Sequence, residues 1–157
     1  MVDPISITTG VLSLLGTCYK IVSATKAFHD GMVIVDVKVT GLLSDVESFA
    51  QALQGLYNTL EEERVKATFQ STGHIGNLWM NLSKTITDGQ NTLVQLQSTL
   101  DKINKTVGIL DNARKQLRLN SSMAELAMFQ QQIRSYRDTI QLTLQTFILY
   151  VSLPSVI

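Results

Sequence analysis

The feature that most constrains the fold is a recurrence of apolar residues at spacings of three and four, sustained over most of the 157-residue chain. One stripe runs through Val39, Leu42, Leu43, Val46, Phe49, Ala50, Leu53, Leu56, Tyr57 and Leu60. A second runs through Ile75, Leu78, Trp79, Leu82, Ile86, Leu93, Leu96, Leu100 and Ile103, and a third through Leu126, Phe129, Ile133, Tyr136, Ile140, Leu144, Phe147, Ile148 and Val151. That spacing lines one face of an α-helix, and each such face must be buried against another. Only Met32–Val39, reading M-V-I-V-D-V-K-V, alternates like a strand. No second such run exists to pair its backbone groups, so it is expected to open the second helix.

Helix boundaries follow from local chemistry. Asp3 followed by Pro4 is a helix start, and a first helix is expected from Pro4 to about His29, with Asp30-Gly31 as the turn. The second helix should end near Glu63, and Arg64–Gly73, where periodicity fails, reads as a loop. The third carries Gly89 in its interior, which costs about 1 kcal/mol relative to alanine and marks a close helix crossing or a slight bend. A short helix is expected over Val107–Leu119. Ser122 and Glu125 form a capping-box signature for a last helix from Met123 to about Leu153, which Pro154 stops. The expected fold is all-α, an antiparallel bundle of four long helices plus a possible short one, in a single domain spanning residues 1–157.

An apolar fraction of 45% with 17% charged residues describes a chain that buries a core. Thirteen Lys and Arg balance thirteen Asp and Glu, which gives no overall attraction to nucleic acid. The charge is nevertheless uneven. Residues 30–63 hold Asp30, Asp36, Asp45, Glu47, Glu61, Glu62 and Glu63 against Lys38 alone, whereas residues 102–118 hold Lys102, Lys105, Arg114, Lys115 and Arg118 against Asp111 alone. The basic group is a candidate anionic-lipid site, since each such residue contributes on the order of 1 kcal/mol near an anionic surface. The bland alternative is a solvated face that complements the acidic segment.

Catalytic and metal-binding patterns are not evident. None of Glu47, Glu61, Glu62, Glu63 or Glu125 begins a Glu-x-x-His pair, and His29 and His74 stand apart from other ligand types. No Gly-rich phosphate loop or nucleophile elbow is present. A non-enzymatic chain without cofactor or metal is expected. The lone Cys18 sits among apolar neighbours, as an inert buried thiol in a reducing, intracellular compartment would. The N-x-S/T sequons at Asn81, Asn104 and Asn120 then read as chance matches.

The first helix is the most informative element. Ile5–Tyr19 is uncharged and largely apolar, lacks the basic flank and cleavage pattern of a signal peptide, and is shorter than the roughly 18–20 residues of a resting membrane span. It is therefore either a core helix or one that enters lipid conditionally, with Ile5, Ile7, Val11, Leu12, Leu14, Leu15, Ile21 and Val22 as the membrane-inserting candidates. Ser6, Thr9, Gly10, Ser13, Gly16, Thr17 and Lys20 form a small and hydroxyl stripe beside them. That stripe suits close helix approach, solvent contact, or helix association in lipid.

The opening M-V-D-P-I-S-I-T-T-G-V-L-S-L-L-G resembles that of the fungal HeLo-like domains at the front of STAND-type immune receptors and cell-death proteins. The likeness continues in F-H-D-G at Phe28–Gly31, V-K-V-T-G-L-L-S-D-V at Val37–Val46, and Q-Q-Q-I-R-S-Y-R-D-T-I-Q-L-T-L-Q at Gln130–Gln145. The resemblance implies a helical bundle used in fungal programmed cell death and incompatibility, similar in architecture to the executioner domain of the necroptotic mixed-lineage kinase-like pseudokinase. It further implies an upstream receptor or signalling module that drives homo-oligomerisation. A cytoplasmic domain would then relocate to the plasma membrane and act there through its first helix. With no nucleotide-binding module or amyloid-forming tail in the sequence, the chain reads as an isolated domain of that kind. The competing expectation is a passive adaptor bundle without membrane activity.

Overall fold

A computed structural model describes residues 4–30, 37–63, 65–66, 76–105 and 112–152. They form four long helices, α1 (Pro4–Asp30), α2 (Val37–Leu60), α3 (Gly76–Lys105) and α4 (Asn112–Ser152), and no strand occurs among the described residues. Helix α1 begins at Pro4, where a fixed φ suits the first helical position. Of the strand-like run, Val37–Val39 is helical and Val39 is buried, so core packing overrides β-propensity there. Met32–Asp36 lies outside the described residues, as does Gly31.

Two boundaries differ from expectation. Helix α2 stops at Leu60, where the amide of Glu61 donates to the Tyr57 carbonyl at 3.1 Å and that of Glu62 to Thr59 at 3.2 Å. The stretch expected as loop from Arg64 onward includes instead a helical turn, in which the Lys66 amide donates to the Glu62 carbonyl at 3.0 Å and Val65 is buried; its remainder lies outside the described residues. The second difference concerns the short helix and the capping box. Residues 112–119 belong to α4 itself, which passes unbroken through Asn120-Ser121-Ser122. Mid-helix Asn and Ser cost only about 0.5 kcal/mol each relative to Ala, too little to break a helix held by packing downstream. Glu125 does not reach back to a helix start; it accepts the Thr99 hydroxyl at 3.1 Å.

The helices form two antiparallel hairpins, α1–α2 and α3–α4, stacked so that lateral neighbours run parallel. Along α1 and α3, Gly10 meets Ile86, Leu14 meets Gly89, and Thr17 accepts a hydrogen bond from Gln90 at 3.1 Å. Along α2 and α4, Gly41 meets Gln130, Asp45 binds Arg134, and Gly55 meets Leu144. Within the second hairpin the order reverses: the Trp79 and Phe147 rings lie 5.4 Å apart, Thr92 and Tyr136 hydroxyls 3.0 Å apart, and Thr99 bonds Glu125. One end of the bundle therefore gathers the N-termini of α1 and α3 with the C-termini of α2 and α4, and the other end gathers the reverse set.

Each apolar stripe faces the common core, in which Leu14, Phe49, Leu53, Leu93, Leu96, Phe129, Ile133, Ile140 and Phe147 are fully buried. Ile148, assigned to the core stripe from its spacing, is 55% exposed near the end of α4. Gly89 marks the close crossing that its position suggests: a Cβ there would meet Leu14 and Phe49 at 3.4 Å and Tyr136 at 3.8 Å. The α2–α4 seam also carries a polar clamp. Asp45, 8% exposed, accepts from Gln130 Nε2 at 2.6 Å and Arg134 Nε at 2.9 Å, with Arg137 at 3.9 Å on its other oxygen.

Replacing Leu93, Leu96 or Ile140 by alanine is expected to lower stability by about 2–5 kcal/mol each in chemical denaturation, the range for large-to-small changes in a packed core. Asp45→Ala should cost about 1.5–3 kcal/mol, because it removes charge-assisted hydrogen bonds at a nearly dry seam. A double-mutant cycle with Arg134→Ala that returned no coupling would show the clamp to be energetically idle.

Candidate functional site: the first helix and the basic end of the bundle

Helix α1 has no Asp, Glu, Lys, Arg or His between Pro4 and Tyr19. In the folded bundle its membrane-inserting candidates divide sharply. Ile7, Val11, Leu14, Leu15 and Ile21 are buried in the core and Val22 packs against it, whereas Leu12 points outward at 48% exposure. Ile5 lies in the first turn of α1. The outward face continues through Thr9, Ser13, Gly16 and Tyr19 to Lys20 and Ser23. The small-residue stripe thus serves two ends: a Cβ on Gly10 would come within 3.1 Å of Ile86, while one on Gly16 would meet nothing within 4 Å.

Length changes the reading of this helix. The uncharged run alone is short for a span, but the helix continues past Lys20, and Ser6–Lys26 is long and apolar enough to cross a membrane by length and composition. At about 1.5 Å per residue its 21 residues reach roughly 30 Å, the thickness of a bilayer's hydrocarbon core. A third of that stretch is buried in the bundle, so the same composition also serves a core helix.

The second set of candidates converges at the far end. Lys102 is exposed in the last turn of α3, and Lys105 ends that helix. Arg114, Lys115 and Arg118 occupy the first two turns of α4, beside Leu117, which is 68% exposed. Carrying the Thr99–Glu125 register forward brings Lys105 level with Leu119, so Asn112–Arg118 project about 10 Å past the end of α3. A cleft of about 200 Å³ lies just below, lined by Thr99, Lys102, Ile103, Ser121, Ser122 and Glu125. The acidic segment does not complement this end through its described ion pairs. Asp45 is bound by Arg134 and Arg137, Glu47 lies 3.5 Å from Lys26, and Glu61 lies 3.4 Å from Lys66 at the opposite end.

Sequence reasoning missed two things. The charge pattern counts Asp45 only as part of the acidic segment, whereas it sits on the inward stripe of α2 beside Leu42, Val46 and Phe49; a carboxylate on an apolar stripe is the available signal. The outward orientation of Leu12 had none, because periodicity alone does not choose between neighbouring faces of a helix apolar nearly all round. Among the described residues no group of three or more His, Cys, Asp and Glu comes together to hold a metal ion. His29 lies in the last turn of α1, and His74 lies outside the described residues. Comparison of the chain with protein-family models, with curated proteins and with solved structures gave no match.

Cys18 is buried among the core residues of α1, and burial pushes its thiol up to about 12, against a smaller lowering by a backbone hydrogen bond. In an unfolded chain the thiol ionises near 8.5. Below that pH both states keep the proton and the contribution to stability is fully present. As pH rises from about 8.5 towards 12 only the unfolded chain releases the proton, and stability falls by up to about 1.4 kcal/mol per pH unit. Urea denaturation of wild type and Cys18→Ala between pH 8 and pH 10 should show the steeper loss in wild type. Parallel slopes would mean that the thiol is no less solvated folded than unfolded.

Proposed function

We propose that this chain is a non-catalytic, membrane-targeting cell-death effector domain that acts through α1 once a partner module drives it to oligomerise. It rests in the cytoplasm with α1 masked and moves to the plasma membrane on activation. The observation that carries this reading is Ser6–Lys26, a helix of spanning length that is apolar on its core face and free of acid, base and histidine on its outer face up to Lys20. The resemblance of the chain to HeLo-like domains supports the same assignment.

The energetics make masking the resting condition. Withdrawing α1 exposes Ile7, Val11, Leu14, Leu15 and Ile21, each worth about 1.5–3 kcal/mol of burial, so release in water is penalised by on the order of 10 kcal/mol. Hydrocarbon restores that burial, and clustering of several copies raises the effective concentration of released helices to about the millimolar range. The trigger is then the partner that clusters the domains.

The passive-adaptor reading has one observation in its favour. Leu142 and Leu149, seven residues apart on one face of α4, are 66% and 65% exposed, as anchors for a docked helix would be. Leu12→Lys separates the two readings. Because Leu12 faces outward, the substitution should change stability by no more than about 0.5 kcal/mol. A lysine at the centre of an inserted helix is penalised by about 2.5–3.5 kcal/mol, which lowers insertion by roughly 100-fold. Forced oligomers of wild type are expected to release dye from anionic vesicles, and Leu12→Lys oligomers to release far less. Equal leakage from both, or none from wild type, would favour the adaptor. Deleting residues 1–25 is the poorer test, since it removes a quarter of the bundle wall.

A further inference from the structure

We infer that the basic end of the bundle is a docking surface for an anionic membrane, and that it seats the domain end-on with the α1 N-terminus pointing away from the lipid. The inference rests on the proposed membrane role but concerns a separate surface and a separate step. Topology carries it. Lys102 and Lys105 close α3, and Arg114, Lys115 and Arg118 open α4, so a pair of antiparallel helices brings five basic residues to one end. The projecting turn adds Leu117, 68% exposed, an apolar side chain among cations as interfacial helices present. Asp101, Glu125 and the Asp30 terminus of α1 stand at the same end and temper its charge.

The other end has the opposite character. Glu61, Glu62 and Glu63 follow α2 there and are exposed, with Lys66, 3.4 Å from Glu61, offsetting one of the three. A bilayer of negative surface potential therefore attracts one end and repels the other, which orients the bundle axis along the membrane normal. A flexible acidic protein or nucleic acid would need no such polarity along the axis, and the exposed leucine gains nothing from either.

Orientation has a mechanical consequence. The C-terminal end of α1, carrying Lys26, lies at the docked end, and Pro4 lies about 40 Å away at 1.5 Å per residue over 27 residues. Docking does not by itself bring Ile5–Tyr19 to lipid. The helix reaches the bilayer by swinging about its C-terminal end, so that docking and insertion are successive events, the first without the second in the resting monomer.

The experiment uses the resting, unclustered chain in a Cys18→Ala background with one fluorophore, either at Leu117→Cys on the basic end or at Met80→Cys, 63% exposed in the second turn of α3 at the acidic end. Vesicles of phosphatidylcholine carrying brominated chains are compared with and without phosphatidylserine. Quenching is expected at position 117 only, with phosphatidylserine only, and should vanish in high salt. Replacing Lys102, Lys105, Arg114, Lys115 and Arg118 by glutamine should weaken partitioning by roughly fivefold per charge removed. Quenching at position 80, quenching without anionic lipid, or binding untouched by the five substitutions would overturn the inference. Retention on heparin or polyglutamate with no binding to vesicles would overturn it in favour of an acidic macromolecule. If docking fails while forced oligomers still leak through α1, the inference falls and the proposed function stands; if docking occurs without leakage, the reverse holds.

Discussion

Everything in the bundle is referred to one layer, where Leu14, Phe49, Gly89 and Tyr136 meet, one from each helix. Phe49 reaches diagonally from α2 to α3, and its ring tip lies 3.4 Å from where a Cβ at position 89 would stand, in van der Waals contact with it. Its centroid lies 6.5 Å from that of Tyr136 at 44°, within the range of favourable tilted pairs. A Cβ at position 89 would only touch these neighbours, whereas a side chain larger than alanine would have to push the two hairpins apart or displace Phe49. The helix-propensity cost of that glycine accompanies an aromatic burial that a residue larger than alanine would disturb.

From that layer the register propagates by different means on different seams. Between α2 and α4 it is fixed by Asp45 with Gln130 and Arg134, a directional contact that a one-turn slip would leave unpaired at a buried position. Between α3 and α4 it is fixed by Thr92 with Tyr136 and Thr99 with Glu125. The core face of α1 is apolar, with Thr17 and Gln90 joined at its edge and Lys26 near Glu47 at its solvent side. Apolar packing is non-directional and roughly proportional to area, so a helix held chiefly by it is replaceable by any other apolar environment. The polar seams have no counterpart in hydrocarbon.

The long elements are legible in the sequence because burial imposes its period directly on residue order: the spacing of Leu42, Val46, Phe49 and Leu53 alone places them on one face. The termini were less so. Asn120-Ser121-Ser122 has the composition of a helix start, yet local preferences of a few tenths of a kcal/mol per residue do not outweigh packing that holds α4 on both sides of it. The side-by-side parallel alignment of α1 with α3 was also illegible, since short connections specify consecutive antiparallel neighbours and leave open how two hairpins stack. Of the candidate site, the basic residues were visible as a segment, and their gathering at one end follows from the α3–α4 hairpin. The candidate residues of α1 were visible as apolar, but a residue that meets lipid and one that meets a core have the same chemistry, and only the fold shows that Leu12 alone among the described candidates faces strongly outward.

That degeneracy is the physical content of α1. A charged outer face would be the ordinary solution for a surface helix in water, and it would forbid lipid; an apolar outer face would suit lipid and cause aggregation in water. Thr9, Ser13, Gly16 and Ser23 satisfy neither extreme, and that is what allows both. Thr9, Ser13 and Ser23 are exposed in the folded bundle, and in an apolar medium a serine or threonine hydroxyl can bond to a carbonyl one turn back, as Thr17 does to Ser13 at 3.2 Å and Thr25 to Ile21 at 2.7 Å in the bundle itself. A helix of this composition carries its own hydrogen-bond partners from one solvent to the other. In the proposed release of α1 the barrier would reside in α2, α3 and α4, whose inward faces have no second environment to enter.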